Sequence, residues 1–173
     1  HGGGHARAAG DGDRPQATAV SARSGRAALD RALDFHSLTQ GAPMTRQTIA
    51  TSDAPAAIGP YSQAIRTGDT LWMSGQIPLD PASMQIVEGG IDAQAQRVFA
   101  NMRAVLAAAG GTFDDVVKLS ILLVDLGDFA KVNEIMAAEF KQPYPARSTY
   151  QVAALPRGSR IEVEAVAVLK PGA

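Results

Sequence analysis

The C-terminal stretch of the chain constrains the fold most. Pro145-Ala146-Arg147-Ser148-Thr149-Tyr150-Gln151-Val152-Ala153 and Ile161-Glu162-Val163-Glu164-Ala165-Val166-Ala167-Val168 are rich in β-branched and small apolar residues, and Leu155-Pro156-Arg157-Gly158 between them carries turn formers. Both segments read as strands around a break. An arginine heading one strand and two carboxylates inside an apolar partner strand are costly to bury without partners, so this pair is the first place to look for chemistry. Alternation sets Glu162 and Glu164 on one side of their strand. Whether Arg147 shares that side depends on the register of the hairpin between the two segments, which the sequence leaves open.

The remaining chain supplies the other elements of one domain. Residues 1–43 are rich in Ala, Gly, Arg and Ser, hold all three histidines (His1, His5 and His36) and precede the first methionine, Met44. They read as an N-terminal extension: a tag, an upstream-translated or a low-complexity segment. Within it, Arg23 to Phe35 has loose helical spacing. From Met44 to residue 173 the pattern is that of a packed domain. Thr45 to Thr51 fits a first strand, and Pro55 and Pro60 stiffen the loop that displays Tyr61. Gln63–Thr67 and Thr70–Gln76 flank Gly68-Asp69, a two-residue hairpin turn. A loop with Pro78, Pro81 and Gly89-Gly90 follows. The clearest helix runs from Asp92, as its cap, to Ala109, with Val98, Phe99, Met102, Val105 and Leu106 on one face and Gly110-Gly111 as the stop. Val116 to Val124 is a strand whose second half is apolar on both faces and so belongs inside the sheet. Asp128 to Phe140 is a second helix with Phe129, Val132, Met136 and Phe140 as its stripe. Asn133 lies off that stripe. Six strands and two helices in this order give a mixed α+β sheet with both helices available to one face. Apolar residues on both sides of Val163 to Val168 leave the other face to be buried by self-association.

Composition removes several chemistries. Sixteen basic residues against seventeen acidic leave a net charge of −1, so nothing in the global balance draws the chain to nucleic acid or anionic lipid. No apolar run reaches the length of a membrane span, and the protein is expected to be soluble and cytoplasmic. There is no cysteine, and no histidine after Met44, which eliminates Ser-His and Cys-His pairs and imidazole or thiolate metal sites. Gly89-Gly90 and Gly110-Gly111 lack the spacing and lysine of a phosphate loop. What remains is an arginine to bind an anion, carboxylates and hydroxyls to position water, and backbone amides. Arg147 has the planar fork that a small carboxylate accepts, or it serves a structural ion pair. Glu162 could deprotonate a water if partial burial adjusts its pKa. In Ser74-Gly75-Gln76 the glycine either lets backbone amides approach a ligand or marks a bulge.

The motifs Ile58-Gly59-Pro60-Tyr61-Ser62-Gln63-Ala64, Ser74-Gly75-Gln76-Ile77-Pro78, Gln94-Ala95 with Asn101, Asp128-Phe129 with Val132-Asn133, Pro145-Ala146-Arg147-Ser148, Val152-Ala153-Ala154-Leu155-Pro156 and Ile161-Glu162-Val163-Glu164-Ala165 occur in order. Together they closely resemble the RidA (YjgF) family of reactive intermediate deaminases, over Met44 to about Lys170. The resemblance implies a chorismate-mutase-like α+β fold assembled as a homotrimer, with sites between subunits. It implies hydrolysis of 2-imino acids such as 2-iminopropanoate and 2-iminobutanoate to 2-oxo acids and ammonia, with no metal or organic cofactor. It implies that Arg147 grips the substrate carboxylate and Glu162 orients the attacking water. Tyr61 then closes the site from the neighbouring subunit, and Ser74, Gly75, Asn133 and Thr149 line it. Thr149 stands where many deaminating members carry Cys, the connection Lys141-Gln142-Pro143-Tyr144 is short, and Tyr150 is bulky for its place. Members of this family have also been labelled endoribonucleases (L-PSP) or translation inhibitors. Against that, the region from Met44 has eleven basic and thirteen acidic residues and no aromatic-basic stripe for single strands. A non-catalytic ligand-binding or chaperone-like trimer is a further alternative.

Overall fold

The computed structural model describes residues 45–170; the helix expected over 23–35 lies outside them. The chain runs β1 (Arg46–Ile49), β2 (Ala64–Thr67), β3 (Thr70–Gln76), α1 (Ile91–Ala108), β4 (Val116–Leu123), α2 (Phe129–Glu139), β5 (Ala146–Gln151) and β6 (Ile161–Val168). They form a six-stranded sheet in the order β1-β2-β3-β6-β4-β5. Gly68, at φ +60°, turns β2 into β3 as the hairpin signal requires.

The last two strands do not form the hairpin expected of neighbours in sequence. β5 pairs in parallel with β4 at the sheet edge, whereas β6 inserts between β3 and β4 and is antiparallel to both. The physical reason lies in β4. Leu119, Ile121 and Leu123 are fully buried, so the backbone groups on both edges of this strand need partners, and β6, with Ile161, Val163, Ala165 and Ala167 buried, fills one edge. The crossovers β3-α1-β4 and β4-α2-β5 progress in the same direction across the sheet, which sets both helices on one face.

Between helices and sheet lies one core. Leu71, Met73, Val163, Ala165, Leu119 and Ile121 meet Val98, Phe99, Met102, Val105, Leu106, Val132 and Met136. Phe99 is packed edge-on to Phe113 and Phe140, with centroids 6.3 and 5.9 Å away. The start of α1 differs from expectation: Gly90 occupies the N-cap, no side chain caps it, and Asp92 sits in the first turn, where its charge suits the helix dipole. Phe129, expected in the core stripe, is instead partly exposed at the N-terminus of α2.

The face of the sheet away from the helices carries exposed apolar side chains. Trp72 is 56% and Tyr150 57% exposed, and Val166, opposite Trp72 in the ladder, lies on the same side. Tyr150 therefore projects from this outer face and lines neither cavity described below.

Candidate functional site

The structure assembles the expected site residues into two groups on opposite faces of the sheet. Arg147 is paired in the ladder with the core residue Leu119, so it faces the helices. Glu162 is paired with Leu122 and alternates with the buried Ile161 and Val163, so it faces away from them. With β4 between their strands, the two cannot meet inside one protomer.

The first group surrounds Glu162. A cavity of about 320 Å³ is lined by Tyr61, Ser74, Gly75, Pro156 and Glu162 among others. Tyr61 thus belongs to the same protomer's cavity as Glu162, not to the side opposite it. The loop bearing Tyr61 is stapled by the buried amide of Gln63, whose Oε1 accepts from Thr51 N–H at 2.7 Å and whose Nε2 donates to the carbonyls of Thr51 and Pro55 at 3.0 and 2.8 Å. Ser74 completes the attachment: its hydroxyl donates to the Ser62 carbonyl at 2.7 Å and its N–H to the Gln63 carbonyl at 3.0 Å. Its proton therefore holds the Tyr61 loop in place.

Gly75 sits where the β3–β6 register shifts, and the reason for glycine is space. A Cβ there would lie 1.9 Å from Glu162 Oε1 and 2.8 Å from its Cδ. The carboxylate therefore rests directly against the β3 backbone. Burial, with a smaller contribution from the like charge of Glu164, raises the Glu162 pKa above its ordinary value. A carboxylate disfavoured in its charged form is a better proton acceptor.

The second group surrounds Arg147. Its Nη1 donates to Asn133 Oδ1 at 2.5 Å and to Met136 Sδ at 3.4 Å. The guanidinium carbon lies 5.2 Å from the centroid of the Phe129 ring. These three residues are spaced i, i+4 and i+7 on α2 and form one cradle. Tyr144 and Pro145 complete the opening of about 470 Å³ beside them. No carboxylate among the described residues pairs with Arg147. A guanidinium offers five N–H donors; a neutral amide and an aromatic face leave both its charge and most of those donors for a ligand. Asn133, off the apolar stripe, is thus the residue that orients Arg147. Thr149 follows Arg147 on the same face of β5, but its hydroxyl is buried and has no hydrogen-bond partner.

Several residues that the sequence marked only as matched positions turn out to support these groups. Asn101, fully buried on α1, donates to the Leu79 carbonyl at 2.9 Å and fixes the wall of the Glu162 cavity. Gln94 Oε1 accepts from Arg160 N–H at 2.9 Å. Arg160 makes a bidentate pair with Asp128, its Nε and Nη2 at 3.1 and 2.8 Å from the carboxylate, tying the start of β6 to the start of α2. The signal for Asn101 was its amide beside an apolar helical stripe, a group that buried helices exclude unless it has a job. Among the described residues no cluster of His, Cys, Asp and Glu could hold a metal ion, and no helix is long and apolar enough to cross a membrane.

A mixed six-stranded sheet with two helices on one face, an arginine without a carboxylate partner cradled by one helix and a half-buried glutamate on the opposite face define a small α+β protein with two polar openings. Residues 51–169 match the family model described as Endoribonuclease L-PSP. The chain belongs to this family, the one in which RidA proteins are found. It is 54% identical over 127 residues to Protein DfrA of Myxococcus xanthus, covering 72% of this chain and 97% of that one. It is 52% identical over 128 residues to the human 2-iminobutanoate/2-iminopropanoate deaminase, covering 74% and 93%. The crystal structure of RidA from the Antarctic bacterium Psychrobacter sp. PAMC 21119 superposes with a TM-score of 0.69 at 50% identity, over 71% of this chain and 99% of that chain.

Proposed function

We propose that this protein hydrolyses 2-imino acids, 2-iminobutanoate and 2-iminopropanoate among them, to 2-oxo acids and ammonia in sites shared between neighbouring protomers of a homotrimer. The observation that carries the reading is the separation of the two groups: a charged, unpaired Arg147 and a desolvated Glu162 on opposite faces of the sheet. Each is half of a site, and a second copy is what brings a complementary half. The exposed apolar outer face with Trp72 and Tyr150 supports association through that face, and the deaminase name of relatives near half identity supports the reaction.

The chemistry follows from the groups. Arg147, oriented by Asn133, receives the substrate carboxylate through two parallel N–H donors. Tyr144 and Pro145 wall the opening beside it, and the adjoining protomer presents its own Glu162 cavity, lined by its own Tyr61. Glu162 holds a water and takes its proton as the oxygen attacks C2 of the protonated imine. The resulting carbinolamine carries the hydroxyl and the amine on one carbon. Glu162 then returns its proton to the nitrogen, the C–N bond breaks, the C2 hydroxyl proton is released, and the 2-oxo acid and ammonia depart. Because an imine is already electrophilic, holding it and one water in register supplies most of the gain.

The test is release of ammonia and 2-oxo acid from 2-iminobutanoate generated in situ by a coupled amino-acid oxidase. Arg147→Ala is expected to lose at least about 100-fold in kcat/KM, the order of a lost charge-assisted bidentate contact, at unchanged oligomeric state. Full activity in this variant would remove Arg147 from the mechanism, and RNA cleavage that persists through repurification and through Arg147→Ala would favour the ribonuclease reading instead.

A further inference from the structure

The walls of the Glu162 cavity come from two segments far apart in sequence. Ile77 and Leu79 come from one and Pro156 from the other. The Ile77–Leu79 wall is the base of a narrow ribbon closed by the Leu79–Ile86 bridge and by a turn in which Met84 N–H donates to the Asp80 carbonyl at 2.8 Å and Asp80 N–H to the Gln85 carbonyl at 2.9 Å. Helix α1 anchors the base through Asn101, and Arg97 reaches Asp80 at 3.8 Å. The tip is held from across the mouth, where Arg157 Nη1 donates to the Met84 carbonyl at 2.6 Å.

Both ends of that hydrogen bond are strained. Met84 and Arg157 each have φ +57°, and they are the non-glycine residues with positive φ among those described. A non-glycine residue held in this region costs roughly 1–3 kcal/mol and persists only where its surroundings over-determine it. Two such residues joined to each other at the rim of the cavity that holds the desolvated glutamate mark a built contact.

We propose that Arg157 is a positioning residue for the Glu162 half-site: by clasping the Met84 carbonyl it holds the Ile77–Leu79 and Pro156 walls together over the cavity. Its effect on catalysis runs through Met84 and the walls, not through contact with substrate. The proposal rests on Glu162 serving as the base. The charge acting on Glu162 is Glu164 on its own strand, and Tyr61 is the other titratable group in the cavity; Gly75 of β3 and Leu122 of β4 bring no charge.

The variant Arg157→Met keeps length and removes the donors, and two readouts test it. Imine hydrolysis is expected to lose about tenfold in kcat/KM, as for a small misplacement of the wall against the reacting groups, with the acid limb of the pH–rate profile displaced to lower pH because an open rim hydrates Glu162. A limb displaced upward, or left in place with unchanged kinetics, overturns the clasp. Arg157→Lys, which keeps a donor, is expected to recover part of the loss. Independently of any activity, amide exchange at Asp80 and Met84 is expected to quicken at least tenfold in Arg157→Met, and unchanged protection there refutes the clasp while leaving the deaminase reading standing. Conversely, a wild-type protein inert toward imines removes that reading, and the exchange measurement still decides whether Arg157 holds the rim.

Discussion

Replacing Gly75 by alanine asks whether the position of the Glu162 carboxylate matters. The new Cβ would stand 1.9 Å from Oε1, 2.8 Å from Cδ and 3.0 Å from Cγ of Glu162. Ordinary contact between a methyl carbon and a carboxylate oxygen needs roughly 3.4 Å, so the carboxylate must retreat by about 1.5 Å. Gly75 is not in the left-handed region, so its backbone accepts alanine, and the clash falls on the end of a flexible side chain, which can turn away. The fold should therefore tolerate the change, with a denaturation midpoint at or slightly above wild type because alanine restricts the unfolded chain. Catalysis should not. A displacement of about 1 Å at a reacting group costs on the order of 100-fold, equivalent to about 2.7 kcal/mol of transition-state stabilisation. The assay is kcat/KM for 2-iminobutanoate in Gly75→Ala, Glu162→Gln and the double variant. Gly75→Ala should add almost nothing to the loss in Glu162→Gln, since both act on one carboxylate. An undiminished Gly75→Ala enzyme, or losses that multiply, would refute this use of the glycine.

Three further outcomes follow from the same geometry. Folding raises the Glu162 pKa, so the folded state holds this proton more tightly and the side chain weakens the fold as pH rises through its folded pKa. Glu162→Gln should accordingly be inactive yet more stable than wild type at neutral pH, the difference vanishing below the ordinary glutamate range; equal stability at all pH values would contradict the desolvation. Thr149→Val removes a buried hydroxyl without a partner and should stabilise by about 1 kcal/mol in urea titrations, with KM unchanged; a raised KM would mean that the hydroxyl is used by substrate. Arg147→Lys keeps the charge but loses the planar fork, so KM should rise about tenfold or more while most of the fold's stability stays; unchanged KM would argue against two-point capture of a carboxylate.

Local signals in the sequence were reliable where local physics decides the structure. Gly68-Asp69 gives the β2–β3 turn because only a few residues accept that backbone, and α1, stopped before Gly110, has its stripe and stop in consecutive residues. The pairing of β5 with β6 failed because adjacency favours a hairpin, whereas the apolar edges of β4 reach across the chain for β6. That failure decides the site, since the expected hairpin would have let Arg147 and Glu162 share a face. The residue types were legible in advance: an arginine heading a strand and a glutamate in an apolar strand need a purpose wherever they lie, although the sequence left a structural ion pair open for Arg147. The steric role of Gly75 and the cradle of Phe129 and Asn133 around Arg147 were not, because each depends on an atom contributed by a distant strand or helix. The sequence likewise gives no hint that Tyr61 lies on the Glu162 side, as that follows from the Gln63 staple and the Ser74–Ser62 hydrogen bond.

Mixing two inactive variants is the most direct measurement of whether Arg147 of one protomer works with Glu162 of another. Arg147→Ala and Glu162→Gln protomers are unfolded together in equal amounts, refolded and assayed for imine hydrolysis. With sites shared around a closed ring, one protomer in two brings an intact arginine and one neighbour in two an intact glutamate, so about a quarter of wild-type activity should return. Mixtures no more active than the two separate variants, in assemblies verified to contain both, would contradict a site built from two protomers.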